Sequence, residues 1–320
     1  MYPTSGATLR GDINVKVEEA QASDRFFIGQ KALPPFGVAA KSGQYPKLDR
    51  RYTELLGAGA SVRTQTGSYP EVTRAWTSDT YDCIDRGLEE AVDDAVARDL
   101  GRFFDVEVTK AKLALRSLML DHEIRVAAEI MSATNFGAGT DSAVAWTEAN
   151  IATINFPKDI LDAIERVNDN GAEANTILLS STAFNRIKRS TLLQNFCRGS
   201  KASDATLNLT ASAVAEAFAD NGITQVLIGR ARYNSAKKGQ AYSATSVWGT
   251  TYCWVGEVKE GSLEAGGAGR TLVWNAEGGL FVTESYRNET RRSNMVRVRQ
   301  NTAEKVIDGS AGTLITTQWS

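Results

Sequence analysis

The chain of 320 residues has one histidine, so any relay built on imidazole must use His122. A Ser-His-Asp or Cys-His site needs that ring within reach of a nucleophile and a carboxylate. His122 instead falls mid-stripe, with Leu115 and Leu118 before it and Val126 and Ile130 after it. Helical spacing puts it on a buried face, away from any turn that presents a nucleophile. It reads as a core or interface histidine. Cys83, Cys197 and Cys253 are far apart and form no CxxC pair, which leaves too few ligands for a zinc site. They read as reduced thiols. Glu89, Glu90, Asp93 and Asp94 could offer i, i+4 carboxylates to a divalent cation, but the glycine and alternating Asx residues of a calcium loop are missing. A solvated helix face is the better reading.

Two glycine clusters, Gly57-Ala58-Gly59-Ala60 and Gly266-Gly267-Ala268-Gly269-Arg270, are possible phosphate cradles. Neither has the P-loop pattern or lies between a buried strand and a capped helix, so both read as loops. No catalytic, cofactor-binding or metal-binding constellation emerges, and the chain reads as a protein that is not an enzyme. Directed charge does emerge. Arg287, Arg291, Arg292, Arg297 and Arg299 alternate in part with Met295, Val296 and Val298. As a strand, this segment has an apolar face and a cationic one. The cationic face is either solvated or meets an acidic partner, a neighbouring subunit's carboxylates or DNA phosphates.

Composition narrows the class. Lys and Arg number 36 against 38 Asp and Glu, a formal charge of −2, without the cationic excess of a dedicated DNA-binding protein. Apolar content of 42% and charged content of 23% suit a soluble globular protein of roughly two domain-sized units. The N-terminal residues hold no apolar signal-peptide core, and no run approaches the ~18 apolar residues of a membrane span. A soluble protein made in the cytoplasm is expected.

Residues 1–33 are polar, with one apolar knot at Phe26-Phe27-Ile28, and read as an arm that orders against something else. Residues 34–80 are punctuated by glycine and proline. Within them, Ser61–Thr66 and Glu71–Trp76 read as a β-hairpin around Gly67-Ser68 that lacks a core of its own. Tyr81–Asp99 reads as an acidic helix on the spacing of Leu88, Val92 and Ala95 or Val96. About 106–134 there is neither glycine nor proline, and the stripe from Ala111 to Ala133 predicts one long helix ending at Gly137. An α/β lobe follows. Its features are a helix from Phe156-Pro157, a buried strand Thr176–Leu179, a helix capped by Ser181 or Thr182, another capped by Thr210, and strands within 223–233 and 247–258. Residues 279–320 read as four short strands.

This order of arm, extended loop, long helix, α/β lobe and closing strands resembles the major capsid protein family of tailed bacteriophages. Encapsulins and the floor domain of herpesvirus capsids share its fold. Asp121–Ala127 is similar to the family's spine-helix end, Phe156–Ile160 through Leu178 to its first axial helix and strand, and Phe281–Val298 with the later TLIT to its closing strands. The resemblance spans the whole chain and rests on element order more than on any single motif.

It implies an α+β fold. The arm would be 1–33, the extended loop 34–80, the peripheral domain 81–155 plus 275–320, and the axial domain 156–274. It implies a major capsid protein forming hexamers and pentamers, which build an icosahedral shell around double-stranded DNA. The partners implied are other copies of the chain, weakly held DNA, a separate scaffolding protein, a portal and, optionally, a decoration protein, with assembly in the host cytoplasm and a final place in the virion. Extended-loop contacts would fall at Val62, Tyr69 and Trp76. Some relatives crosslink an extended-loop lysine to an asparagine; Lys41 and Lys47 lie in that region, without a marked acceptor. The competing readings are an encapsulin shell and, from another class, a cytosolic α/β enzyme.

Overall fold

The computed structural model describes residues 8–23, 26–47, 61–63, 65, 67–69, 77–137, 139–198 and 209–319. The chain begins with β1 (Thr8–Leu9) and α1 (Gly11–Ser23), then α2 (Gly29–Ala32) and β2 (Pro35–Val38). Strands β3 (Ser42–Lys47) and β4 (Thr77–Asp82) pair antiparallel into a two-stranded ribbon. Of the expected hairpin beyond it, the run Glu71–Trp76 lies outside the described residues, and Ser61–Arg63 is turn and coil.

The 81–99 segment corrects the helical expectation. β5 (Ile84–Asp93) is a strand, and only α3 (Asp94–Leu100) is helical, capped by the Asp93 side chain. Long-range pairing overrides the local spacing: β5 runs antiparallel along ten residues of β14 (Ser293–Val306). Gly87 assists, since a Cβ there would come within 3.0 Å of the Arg299 side chain and 3.1 Å of the Val298 carbonyl.

The long helix is α4 (Val106–Ile130), its first turn capped by Asp105, whose carboxylate accepts from Val108 N–H at 3.1 Å. At 1.5 Å rise it is about 37 Å long. Its stripe is buried throughout, at Ala111, Leu115, Leu118, His122, Val126 and Ile130. It stops four residues short of the expected end, and a separate turn, α5 (Ala133–Phe136), leads to Gly137 at φ 74°.

Beyond β6 (Thr140–Asp141) comes the lobe: α6 (Phe156–Asp169), β7 (Thr176–Ser180), α7 (Ser181–Ile187), α8 (Thr191–Arg198), α9 (Ala211–Ala217), β8 (Gln225–Gly229), the hairpin β9 (Arg232–Asn234) and β10 (Ala244–Ser246), and β11 (Tyr252–Gly256). The cap of α7 is Ser180, the last residue of the buried strand, not Ser181 or Thr182; its hydroxyl accepts from Ala183 N–H. Then follow β12 (Gly269–Trp274), β13 (Val282–Asn288), β14 and β15 (Gly312–Thr316).

Two sheets result. In one, β1-β13-β14-β12-β2 lie in order, with β5 on the other edge of β14. In the other the order is β6-β15-β11-β7-β8. Two expectations change here. The segments read as separate strands at 295–300 and 305–308 merge into one 14-residue strand. The final strand, grouped above with the peripheral part 275–320, sits inside the lobe's sheet between β6 and β11, because Thr313, Leu314 and Ile315 find their partners on β11.

Helix α4 serves both sheets. One stretch buries Leu115 and Leu118 with Val296 and Val298 of β14 and with Ile13 and Val17 of α1. So the N-terminal segment does order against another element, but that element is its own chain's helix. Further along, Val126 and Ile130 join Leu178, Trp254 and Leu314 of the lobe. The lobe's far face holds its own core under α6, around Phe156, Ile160, Ile177 and Val255.

The join is made by Glu123, 1% exposed. Its carboxyl group accepts from Gly29 N–H at 2.6 Å, from Ile28 N–H at 3.1 Å and from Trp248 Nε1–H at 2.6 Å. Arm, long helix and lobe thus meet on one side chain. Two glycines make room: a Cβ on Gly29 would lie 2.7 Å from Glu123 Oε2, and one on Gly229 would lie 2.2 Å from the Trp248 ring. Removing a buried acceptor strands its donors at ~1–3 kcal/mol each. Glu123→Ala is therefore expected to destabilise the fold by at least ~3 kcal/mol, seen as a lower midpoint in urea; an unchanged midpoint would remove Glu123 from this role.

Candidate functional site

The cationic strand and the acidic segment, two features separate in sequence, turn out to be each other's partners. Pairing β5 with β14 sets Glu89 directly across from Arg297. Arg297 contacts Glu89 at 2.5 Å and Glu284 at 3.6 Å, with its guanidinium 5.3 Å from the Tyr286 ring. Arg299 holds Glu284 at 2.7 Å. Arg287 grips Asp94 through both terminal nitrogens, at 2.5 and 2.7 Å, and reaches Glu289 at 3.2 Å. The hydrogen bond from Arg287 holds the Asp94 carboxyl below its usual range. Burial pushes Glu284 up, with Arg297 opposing.

Three of the five arginines are thus neutralised within the chain. Arg291 and Arg292 remain exposed at the β13–β14 hairpin tip, where Arg292 takes φ 46°, in the left-handed region. The extended-loop residues are placed in part. Val62 and Tyr69 are 72% and 74% exposed, Arg63 lies 5.1 Å from the Tyr69 ring, and Trp76 lies outside the described residues. Lys41 and Lys47 are exposed on the ribbon.

His122 is a core residue, as its stripe position predicts. Its Nε2 lies 3.3 Å from Thr271 Oγ1, whose own proton goes to the Leu33 carbonyl at 3.0 Å. That leaves the hydroxyl as acceptor and puts the imidazole proton on Nε2. Glu304 lies 3.7 Å from the ring and is clasped by Arg125 at 3.0 and 3.2 Å. Burial disfavours ionisation of Glu304, but the bonds from Arg125 outweigh it and hold that carboxyl below the usual range. Burial pulls His122 down to about 4, against the opposing pull of Glu304. The Thr271 hydroxyl beside the ring is buried with it, 1% exposed.

The remaining candidates resolve into structure. Gly57–Ala60 lies outside the described residues. The second glycine cluster wraps a side chain of its own: Arg270, fully buried, donates to the carbonyls of Gly266 and Gly269, both at 2.9 Å. Burial pushes the thiols of Cys83 and Cys197 up to about 11 and that of Cys253 higher, which leaves little thiolate at neutral pH. Among the described residues, no group of three or more His, Cys, Asp or Glu gathers as a metal site, and no helix is long and apolar enough to cross a membrane.

No protein-family model and no curated protein sequence matches the chain. Solved structures do. A phage-related protein from Bordetella bronchiseptica RB50 superposes with a TM-score of 0.70 at 20% identity, over 98% of both chains. The capsid of cyanophage P-SCSP1u gives 0.56 at 14% identity, over 92% of this chain and 89% of that one. The chain has the phage capsid protein fold. A virus-like particle from Pyrococcus furiosus matches that fold as well, at TM-score 0.56 and 9% identity, over 95% and 97% of the two chains.

Within the capsid fold, His122 gives a signed pH dependence. Its folded pKa is depressed, so the stabilisation from keeping it neutral is whole above about 6.5 and is lost as pH falls toward about 4. The loss is at most ~3 kcal/mol. Urea unfolding between pH 7 and 4 is expected to show a shallower acid loss for His122→Gln than for the parent. Parallel slopes would mean that His122 does not titrate as a buried neutral group.

Proposed function

We propose that this chain is the major capsid protein of a tailed bacteriophage, a non-catalytic subunit that closes into an icosahedral shell around double-stranded DNA. The observation that carries the reading is the end-to-end superposition on a phage-related protein, 98% of each chain, which takes in arm, ribbon, long helix and lobe together. The chain's own physics points the same way. Between the two strands of the β3–β4 ribbon in sequence, Val62 and Tyr69 are exposed. In α3 no side chain is buried, and Phe103 just after it is 82% exposed. Apolar residues left uncovered like this suit a subunit whose neighbours complete it.

In this reading residues 1–33 are the arm and 34–80 the loop that lies over an adjacent subunit. The peripheral part spans 81–155 with most of 275–320, and the axial part 156–274 with β15. Hexamers and pentamers tile the shell. DNA is held weakly, scaffolding and portal are separate proteins, and the mature protein resides in the virion. Arg291 and Arg292, exposed at the β13–β14 hairpin tip, are the ones left to meet a neighbour.

Negative-stain electron microscopy of the purified protein tests the proposal directly. Closed shells, tubes or rings of five and six subunits are expected. A monomer or dimer at every protein and salt concentration would sink it, and thin shells enclosing a protein cargo in place of DNA would move the assignment to an encapsulin. The loop has its own test. Val62→Ser with Tyr69→Ser is expected to lower the assembled fraction while changing stability by less than ~0.5 kcal/mol, as exposed sites do. Assembly equal to the parent's would remove these residues from the contact.

A further inference from the structure

The lobe is charge-polarised along the direction of its two parallel strands. β7 and β8 run in register from Thr176↔Gln225 to Ser180↔Gly229. The chain enters both strands at one end, where the two approaches touch: Thr224 N–H donates to the Asn175 carbonyl at 2.9 Å, and a Cβ on Gly222 would lie 3.2 Å from the Ala174 carbonyl. Exposed Asp169, Glu173 and Asp220 surround that end, with Glu165 one turn back on α6 and Glu216 on α9, and none forms an ion pair with another described residue.

The other end of β8 leads straight into the β9–β10 hairpin, and there the sign reverses. Arg230, Arg232, Lys237 and Lys238 are all exposed and none is paired among the described residues. Residues 221–256 contain these four bases and not one Asp or Glu. The hairpin is nevertheless well built. The Asn234 side chain accepts from Ala236 and Ser243 N–H, both at 3.1 Å, and the strands pair from Ala244↔Asn234 to Ser246↔Arg232. It is held in shape by neutral bonds and lacks only counter-charge.

We infer that the β9–β10 hairpin docks on the acidic end of the same lobe in a second copy of this chain, so that lobes join head to tail into a ring. The two patches are opposite in sign and separated by the five residues of β8, about 17 Å of strand. A two-fold pairing through either patch would set like charge on like, whereas a head-to-tail contact matches them, and such heterologous contacts close into rings. Nucleic acid fits less well, since the acidic end of the same lobe repels phosphate. The inference rests on the shell reading and adds which surfaces meet within a ring.

Charge reversal and its compensation provide the test, on the full chain. Lys237→Glu with Lys238→Glu, and separately Asp169→Lys with Glu173→Lys, are each expected to lower the assembled fraction about tenfold, read by native mass spectrometry and light scattering. Combining all four restores like-to-unlike contacts and is expected to restore assembly. Thermal unfolding of each variant guards against misfolding, and Lys237→Gln with Lys238→Gln gives a neutral version expected to lose assembly less steeply. Reversed variants that assemble like the parent overturn the inference while leaving the shell reading intact. So does a folded four-fold variant that stays apart, or normal shells that only lose DNA, which would give the hairpin to nucleic acid. A parent protein that never assembles takes down the shell reading, and this inference with it.

Discussion

The Glu123 carboxyl group sits out of water between three segments that also share one apolar cluster. Burying such a group is tolerable only when donors surround it. The long helix therefore dictates where Ile28 and Gly29 must thread and how the Trp248 indole must turn. Much follows from this placement. With the arm held at Gly29, Leu33 is buried and its carbonyl accepts from Thr271, which in turn meets His122. With Trp248 held, the lobe lies against Val126 and Ile130. Apolar surface gives the adhesion, which is non-directional. The carboxyl group supplies direction.

A second constraint is electrical. A near-neutral chain can be neutral by dilution or by pairing, and this one does both in different places. On the large sheet, Arg287, Arg297 and Arg299 are matched by Asp94, Glu89 and Glu284 across strand boundaries. These pairs are partly exposed and individually weak, ~0–1 kcal/mol. Their greater effect is on register, since a one-residue slip of β5 would set Arg297 against Glu90 or Leu88 and turn every side chain to the opposite face. In the lobe, Lys158 pairs with Asp162 and Lys259 with Glu257, while the bases of 230–238 and the acids at the other end of β8 stay apart.

The sequence disclosed elements whose signals are local. The α4 stripe, Pro157 in the first turn of α6 and the fully buried β7 all depend on residues within a turn or two of one another. Where the outcome depended on a distant strand, the local reading failed. Leu88 and Val92 have helical spacing, yet the segment is a strand because β14, two hundred residues later, offers it an edge. β15 resembles its neighbours in composition and still belongs to the other sheet. The site divides in the same way. His122 was legible as buried from its stripe. Glu123 beside it was not, because nothing local announces that two backbone N–H groups and an indole will gather there. The bases of 230–238 were visible as residues, and the signal passed over was the missing acids around them.

The location of β15 also bears on how the chain is made. This strand sits between β6 and β11, so the five-stranded sheet has a gap in it until residues 312–316 are available. The segments on either side, 140–141 and 252–256, are synthesised long before. During translation the nascent lobe is thus an incomplete sheet, with one edge of β11 open and Leu314 and Ile315 missing from the two cores that they fill. A ribosome still translating the preceding 14-residue strand carries a protein that cannot yet present a finished lobe to another copy. Until the closing strand emerges, the unpaired edge of β11 is a template on which another chain could pair, so completing the sheet also removes an aggregation-prone edge.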